Sequence, residues 1–170
     1  MLNRIVRWTS AGVEYEADPR QAEQLVRDMG MSGSKPVGTP GVKVTSEQLA
    51  QDKDLSHQRQ RPYRGVAARA NYLSADRPDL QHAAKEVCRW MSTPTETALT
   101  ALKRVGRYLE GHNRIVYRYD FQKATQIDCY SDTDWAGCPR TRRSTSGGVR
   151  DAGTAPHKVV VHYTGADNPV

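Results

Sequence analysis

The chain has 170 residues, 37% hydrophobic and 7% aromatic with a single Phe, and its 25 Lys/Arg exceed its 19 Asp/Glu to give a net charge of +6. That length allows one or two small domains around a lean core. There is no run of about 18 apolar residues to cross a membrane, and Met1-Leu2-Asn3-Arg4 opens no apolar signal segment.

Residues 4–16 predict a β-hairpin, with β-prone Arg4-Ile5-Val6-Arg7-Trp8 and Val13-Glu14-Tyr15-Glu16 flanking Thr9-Ser10-Ala11-Gly12, where Gly12 is available for positive φ. A helix follows: Asp18 as N-cap, Pro19 at the first position, Gln21 at the capping-box position, and Ala22, Leu25, Val26 and Met29 as one apolar stripe ended by Gly30. Residues 1–30 thus form a hairpin–helix segment. Residues 31–61, rich in Gly, Ser, Pro and then polar side chains, read as a flexible linker.

Three antiparallel helices are predicted over 62–111. The first covers roughly 62–75 with Tyr63, Val66, Ala67, Ala70 and Leu73 inward. The second starts near Pro78 and runs to about Met91, burying Leu80, Ala83, Ala84 and Val87. The third starts after Thr93, with Pro94 at its first position, Glu96 completing a capping box, Leu99, Leu102, Val105 and Leu109 as its stripe, and Gly111 as its stop. Trp90 and Met91 read as core. From 112 the pattern turns to strands: Ile115 to Tyr119, Gln126 to Asp132, and a third near Gly148-Val149.

Residues 101–150 hold ten Lys/Arg and five Asp/Glu, beside Tyr117, Tyr119, Tyr130 and Trp135. A basic block with interleaved aromatics suggests a polyanion, nucleic acid by default; from charge alone, an ordinary solvated surface fits equally well. The same two readings hold for the helix face of Lys103, Arg104 and Arg107. Cys88, Cys129 and Cys138 form no CxxC pair, and the five histidines form no HxxxH or HExxH pattern. That argues against a zinc site and for an intracellular, reducing setting, cytoplasm or nucleus, with no secretion and no membrane.

The most informative run is Tyr130-Ser131-Asp132-Thr133-Asp134-Trp135-Ala136-Gly137, followed by Arg142-Arg143-Ser144-Thr145-Ser146-Gly147-Gly148. An Asp at a strand end is a hard oxygen ligand suited to Mg²⁺, and Arg140, Arg142 and Arg143 beside it suit phosphates. The alternative is a plain Asx-type turn.

This run resembles the opening of the RNase H domain in Ty1/copia-type retrotransposon Pol polyproteins. Arg77-Pro78-Asp79-Leu80, Met91-Ser92-Thr93-Pro94 and Leu102-Lys103-Arg104-Val105-Gly106-Arg107-Tyr108-Leu109 resemble the same family's segment between polymerase palm and RNase H. The hairpin at 4–16 and the helix after it are similar to the end of the palm and the thumb. Family order holds over residues 4–149. The resemblance implies an α+β fold: an N-terminal β-hairpin and helix over 1–30, a linker over 31–61, a thumb- or connection-like helical middle over 62–111, and a truncated RNase H-like mixed sheet begun over 112–149. It implies that Asp132 matches the first catalytic, Mg²⁺-binding aspartate, with Asp134 in a supporting role, and that Tyr130 and Trp135 pack. The implied partners are an RNA/DNA hybrid or template–primer, met by Lys103, Arg104, Arg107, Arg140, Arg142 and Arg143, and further Pol polyprotein segments.

The sequence also departs from the family. No Glu follows Glu110, and there is no Asp-Asp pair of the polymerase type, which is expected upstream of Met1. RNase H chemistry needs about four carboxylates on two metals, so Asp132 reads as vestigial, with no tightly held Mg²⁺. Residues 150–170 keep no family pattern. Read one nucleotide later, permitted codons for His157 to Thr164 yield Ile-Lys-Trp-Trp-Ser-Thr-Thr, which resembles the family's next strand; a frameshifted tail, disordered or an ill-fitting strand, is the expectation. Three functions compete: an inactive polyprotein fragment that binds nucleic acid, a nuclease completed by a partner chain, and a non-enzymatic nucleic-acid- or protein-binding module.

Overall fold

A computed structural model describes residues 3–121, 123, 126–138, 142–152 and 159–163. The architecture is α+β, in two compact units, Met1–Arg118 and Tyr119–Val170.

In the first unit, β1 (Ile5–Trp8) pairs antiparallel with β2 (Gly12–Glu16), placing Ile5 opposite Glu16 and Trp8 opposite Val13. Gly12 does not take positive φ. The turn is held instead by the Thr9 hydroxyl, which accepts from the Ala11 and Gly12 amides at 3.3 and 3.0 Å, so a side-chain acceptor supplies what a left-handed glycine would have. Helix α1 (Pro19–Asp28) is capped by Asp18, which accepts from the Arg20 amide rather than engaging Gln21 in a capping box. Its end is a Schellman motif: Gly30 at φ +64° donates to Arg27 O, and Met31 donates to Val26 O. Ala22, Leu25 and Val26 are buried as the stripe predicts.

Within the expected linker, Thr45 and Gln48 form a capping box at the head of a short helix, α2 (Ser46–Ala50). Helix α3 (His57–Ser74) begins five residues before the expected Pro62, which lies inside it. Its first turn is anchored from elsewhere: the Gln60 amide side chain donates to Leu55 O, and Arg59 pairs with Glu96. The expected second helix is a 3₁₀ turn over Pro78–Leu80 running into α4 (Gln81–Cys88), with Leu80, Ala83, Ala84 and Val87 buried. Trp90 and Met91 pack partly buried against the core, as expected.

Helix α5 (Glu96–Gly111) is capped by Thr95, not Thr93. The cap moves because the residues before it are pinned: Leu55 N–H donates to Pro94 O at 2.8 Å, and Glu96 N–H to Lys53 O at 2.9 Å. The Thr95 hydroxyl then accepts from the Ala98 amide. Leu102, Val105 and Leu109 are buried, with Leu99 packed at the margin.

Strand β3 (Val116–Asp120) is the third strand of the β1–β2 sheet, in the order β1-β2-β3. The sequence pattern groups it with the strands after it. Tertiary bonds draw it the other way: Arg114 pairs with buried Glu16 at the end of β2, and Tyr117 reaches Asp79.

In the second unit, β4 (Ile127–Asp134), β5 (Thr145–Ala152) and β6 (Val159–Tyr163) form an antiparallel sheet in that order. Asp132 pairs with Gly147, and Gly147 with His162. The valine run of the tail is therefore a paired strand; residues 153–158 and 164–170 of that tail lie outside the described residues. No helix of the described residues is long and apolar enough to cross a membrane.

Candidate functional site

The motif around Asp132 is a hairpin end. Residues 128, 130, 132 and 134 share one face of β4, because strand side chains alternate, and Asp132 and Asp134 are both exposed. Asp132 lies within β4 and, among the described residues, accepts only from the neighbouring Thr133 amide, at 2.8 Å. Asp134 does a different job. Its carboxylate accepts from the Thr145 amide across the hairpin, and a side chain at Gly137 would collide with it. The Ser144 hydroxyl accepts from the Ala136 amide at 3.0 Å, and Arg142 N–H donates to Cys138 O at 2.9 Å. Ala136 and Arg142 hold φ of +49° and +55°, so the loop turns through two left-handed non-glycine residues. Asp134, Gly137 and Ser144 thus have a local structural reason to stand where they do, and Asp132 does not.

Arg142 and Arg143 are exposed in this loop; Arg140 lies outside the described residues. Tyr130 and Trp135, expected to pack, are exposed by 63% and 88%. Tyr130 stands on β4, and Trp135 lies in the turn just past its end.

The basic face of α5 is arranged differently from a free phosphate-binding surface. Arg104 donates through Nε to Thr39 O at 3.1 Å and through Nη2 to Thr39 Oγ1 at 2.9 Å. Arg107 donates through Nε to Lys35 O at 2.9 Å. Lys103 is exposed. Lys103, Arg104 and Arg107 thus stand on α5 in the first unit, and Arg142 and Arg143 stand in the second.

A polar network the sequence reading missed lies under α5. Arg77, 1% exposed, donates through Nε and Nη2 to both oxygens of Asp79, at 2.9 and 2.7 Å, and through Nη2 to His112 O at 2.9 Å. The hydroxyls of Tyr108 and Tyr117 donate to the same carboxylate at 3.0 and 3.1 Å. Burial pushes the Asp79 pKa up, but Arg77 and the two hydroxyls outweigh it and hold the carboxyl below its ordinary value. The Arg77-Pro78-Asp79 turn is thus a structural clasp joining α4, α5 and β3. Its signal in the sequence was an Arg and Asp bracketing a turn-forming Pro, which alone does not tell a buried pair from an exposed one.

Over 138 residues the chain is 33% identical to an uncharacterized mitochondrial protein of Arabidopsis thaliana, a match covering 78% of this chain and 54% of that protein. It is 33% identical over 137 residues to the retrovirus-related Pol polyprotein from transposon RE2, and over 132 residues to that from transposon RE1, both of Arabidopsis thaliana. These matches cover 81% and 78% of this chain but 9% of each polyprotein. The chain thus spans about half the length of the mitochondrial relative and a small part of the polyproteins. No family profile matches it, and no solved structure does. The likenesses bear out the resemblance to a Ty1/copia-type retrotransposon Pol fragment read from the motifs.

Proposed function

We propose that this chain corresponds to the end of the reverse transcriptase and the first strands of the RNase H domain of a Pol polyprotein, that it binds an RNA/DNA hybrid or template–primer, and that alone it hydrolyses nothing. The observation that carries this reading is Asp132: an exposed carboxylate inside β4, with a glycine opposite it and, among the described residues, no side-chain bond beyond the adjacent Thr133 amide. A two-metal centre needs several carboxylates converging on the ions. The Mg²⁺ ions that the family implies do not fit the described side chains. Asp134 is engaged by the Thr145 amide, and among the described residues no three His, Cys, Asp or Glu side chains stand close enough to share an ion. Binding then rests on Lys103, Arg104, Arg107, Arg140, Arg142 and Arg143 as phosphate contacts, which confer affinity without sequence preference. The remaining Pol segments are the natural protein partners, and an intracellular location follows from that origin.

The test is incubation of the purified chain with a labelled RNA/DNA hybrid and Mg²⁺. No cleavage is expected, together with binding at low salt that weakens steeply as salt rises. Cleavage that Asp132→Asn abolishes would overturn the inactive reading; absence of binding at low salt would overturn the nucleic-acid reading. A second reading, a non-enzymatic module that binds protein, draws on the exposed Ile127, Tyr130 and Trp135.

A further inference from the structure

The stretch from Met31 to Gly41 is the most unexpected feature of the first unit, because a segment of turn-formers lies seated on a helix. Helix α5 is shaped to receive it. A Cβ at Gly106 would stand 2.9 Å from Met31 Cγ, and one at Gly111 would stand 2.8 Å from Pro36 Cβ. Those approaches are closer than a side chain there tolerates, so two helical positions are glycine where the strap crosses. The Gly33 amide donates to Glu110 Oε1 at 2.7 Å, and Met31 and Val37 pack against the core. On its solvent side the strap offers Thr39 O, Thr39 Oγ1 and Lys35 O to Arg104 and Arg107.

We propose that residues 31–41 are an autoinhibitory strap, which must lift from α5 before Arg104 and Arg107 can engage the phosphates of a nucleic acid. This rests on the reading of nucleic acid as the partner. Both guanidiniums have their Nε donors spent on neutral oxygens of the strap. Phosphate is the stronger acceptor, since its bonds to guanidinium are charge-assisted and bidentate. The strap bonds to the arginines are solvent-exposed, so a competing anion reaches them directly. When the binding-competent state is a fraction of the population, apparent affinity falls by that fraction, and any change that loosens the closed state restores it.

The experiment uses the full chain and a 20-base-pair RNA/DNA hybrid at low salt. Gly106→Ala and Gly111→Ala push on the strap without altering any charge. They are expected to tighten binding about threefold or more, and the gain should vanish when Arg104 and Arg107 are both glutamine. Hydrogen exchange on the wild-type chain reads the same event independently of any variant's folding: the amides of 31–41 should exchange faster once the hybrid is added. Unchanged affinity in both glycine variants with unchanged exchange overturns the strap, as does a gain that survives loss of both arginines. If the wild-type chain and both glycine variants all fail to bind the hybrid, the nucleic-acid reading falls and the strap proposal with it. Binding by the wild type without strap movement sinks the strap alone.

Discussion

Arg77 and Asp79 hold three elements on one ion pair, and that pair is where single substitutions cost most. Removing one partner of a buried pair leaves the other charge uncompensated, at about 3–5 kcal/mol. Here the loss falls toward the lower end, because the Tyr108 and Tyr117 hydroxyls still reach Asp79 after Arg77 is gone. Arg77→Met is therefore expected to destabilise the chain by about 3 kcal/mol in urea denaturation. The acid limb of the stability curve follows from the same group. Burial raises the Asp79 pKa, the Arg77, Tyr108 and Tyr117 donors outweigh it, and the net shift is downward; Asp18 is lowered too, chiefly by its bond to Arg20. A carboxyl whose folded pKa lies below its unfolded one contributes stability above the unfolded value and loses it as pH falls through the folded one. Stability should thus hold through neutral pH and decline below about pH 4. Asp79→Asn should flatten that decline; an unchanged slope in the variant's pH series would show that the clasp is not its source.

At the scale of elements, ends decide more than middles. The Thr95 hydroxyl caps α5 while Thr93 lies outside the helix, so the two threonines make a matched test. Thr95→Ala is expected to cost about 1 kcal/mol, and Thr93→Ala less than about 0.5 kcal/mol, by thermal denaturation. Equal losses would restore the capping box that the sequence suggests. At the other end of the chain's first helix, Gly30 sits at φ +64° with open space around it. Gly30→Ala meets no steric clash with a neighbour and still costs about 1 kcal/mol, the penalty for an L-residue in the left-handed region. The apolar stripes of α1, α4 and α5 were legible because a 3.6-residue period survives any tertiary context. The starts of α3 and α5 were not, because distant partners bear on each: Glu96 pairs with Arg59 at the head of α3, and Leu55 and Lys53 bond the residues at the head of α5.

Across the whole molecule, burial is uneven. The core cluster draws its residues from α1, α3, α4 and α5 and from Ala17, Leu55 and Leu80, whereas the described side chains of β4 are nearly all exposed. Local opening follows buried apolar contact, so β4–β5 amides should exchange faster than those of α3–α5; equal protection would mean that something covers the sheet. The outer edges of β4 and β6, unpaired among the described residues, also invite pairing with other strands, and residues 112–170 expressed alone are expected to aggregate. A monodisperse, cooperatively unfolding product would contradict that. The paired β6 leaves the origin of the tail to the coding DNA: codons for His157 to Thr164 that forbid the shifted reading would remove the frameshift.

The resemblance to retrotransposon Pol polyproteins was decided by the sequence alone, because motifs such as Arg77-Pro78-Asp79 and the run from Ser131 to Gly137 are local strings whose spacing survives any packing. So was the inward face of each helix, which periodicity carries. What only the tertiary structure decided is the work of individual charges. Arg77 is buried and Arg104 and Arg107 are tied to a strap, while Asp134 closes a hairpin and Asp132 stands open. The reason is range: a charge takes its role from the partner that the fold brings to it, and Thr39 stands 65 residues from Arg104.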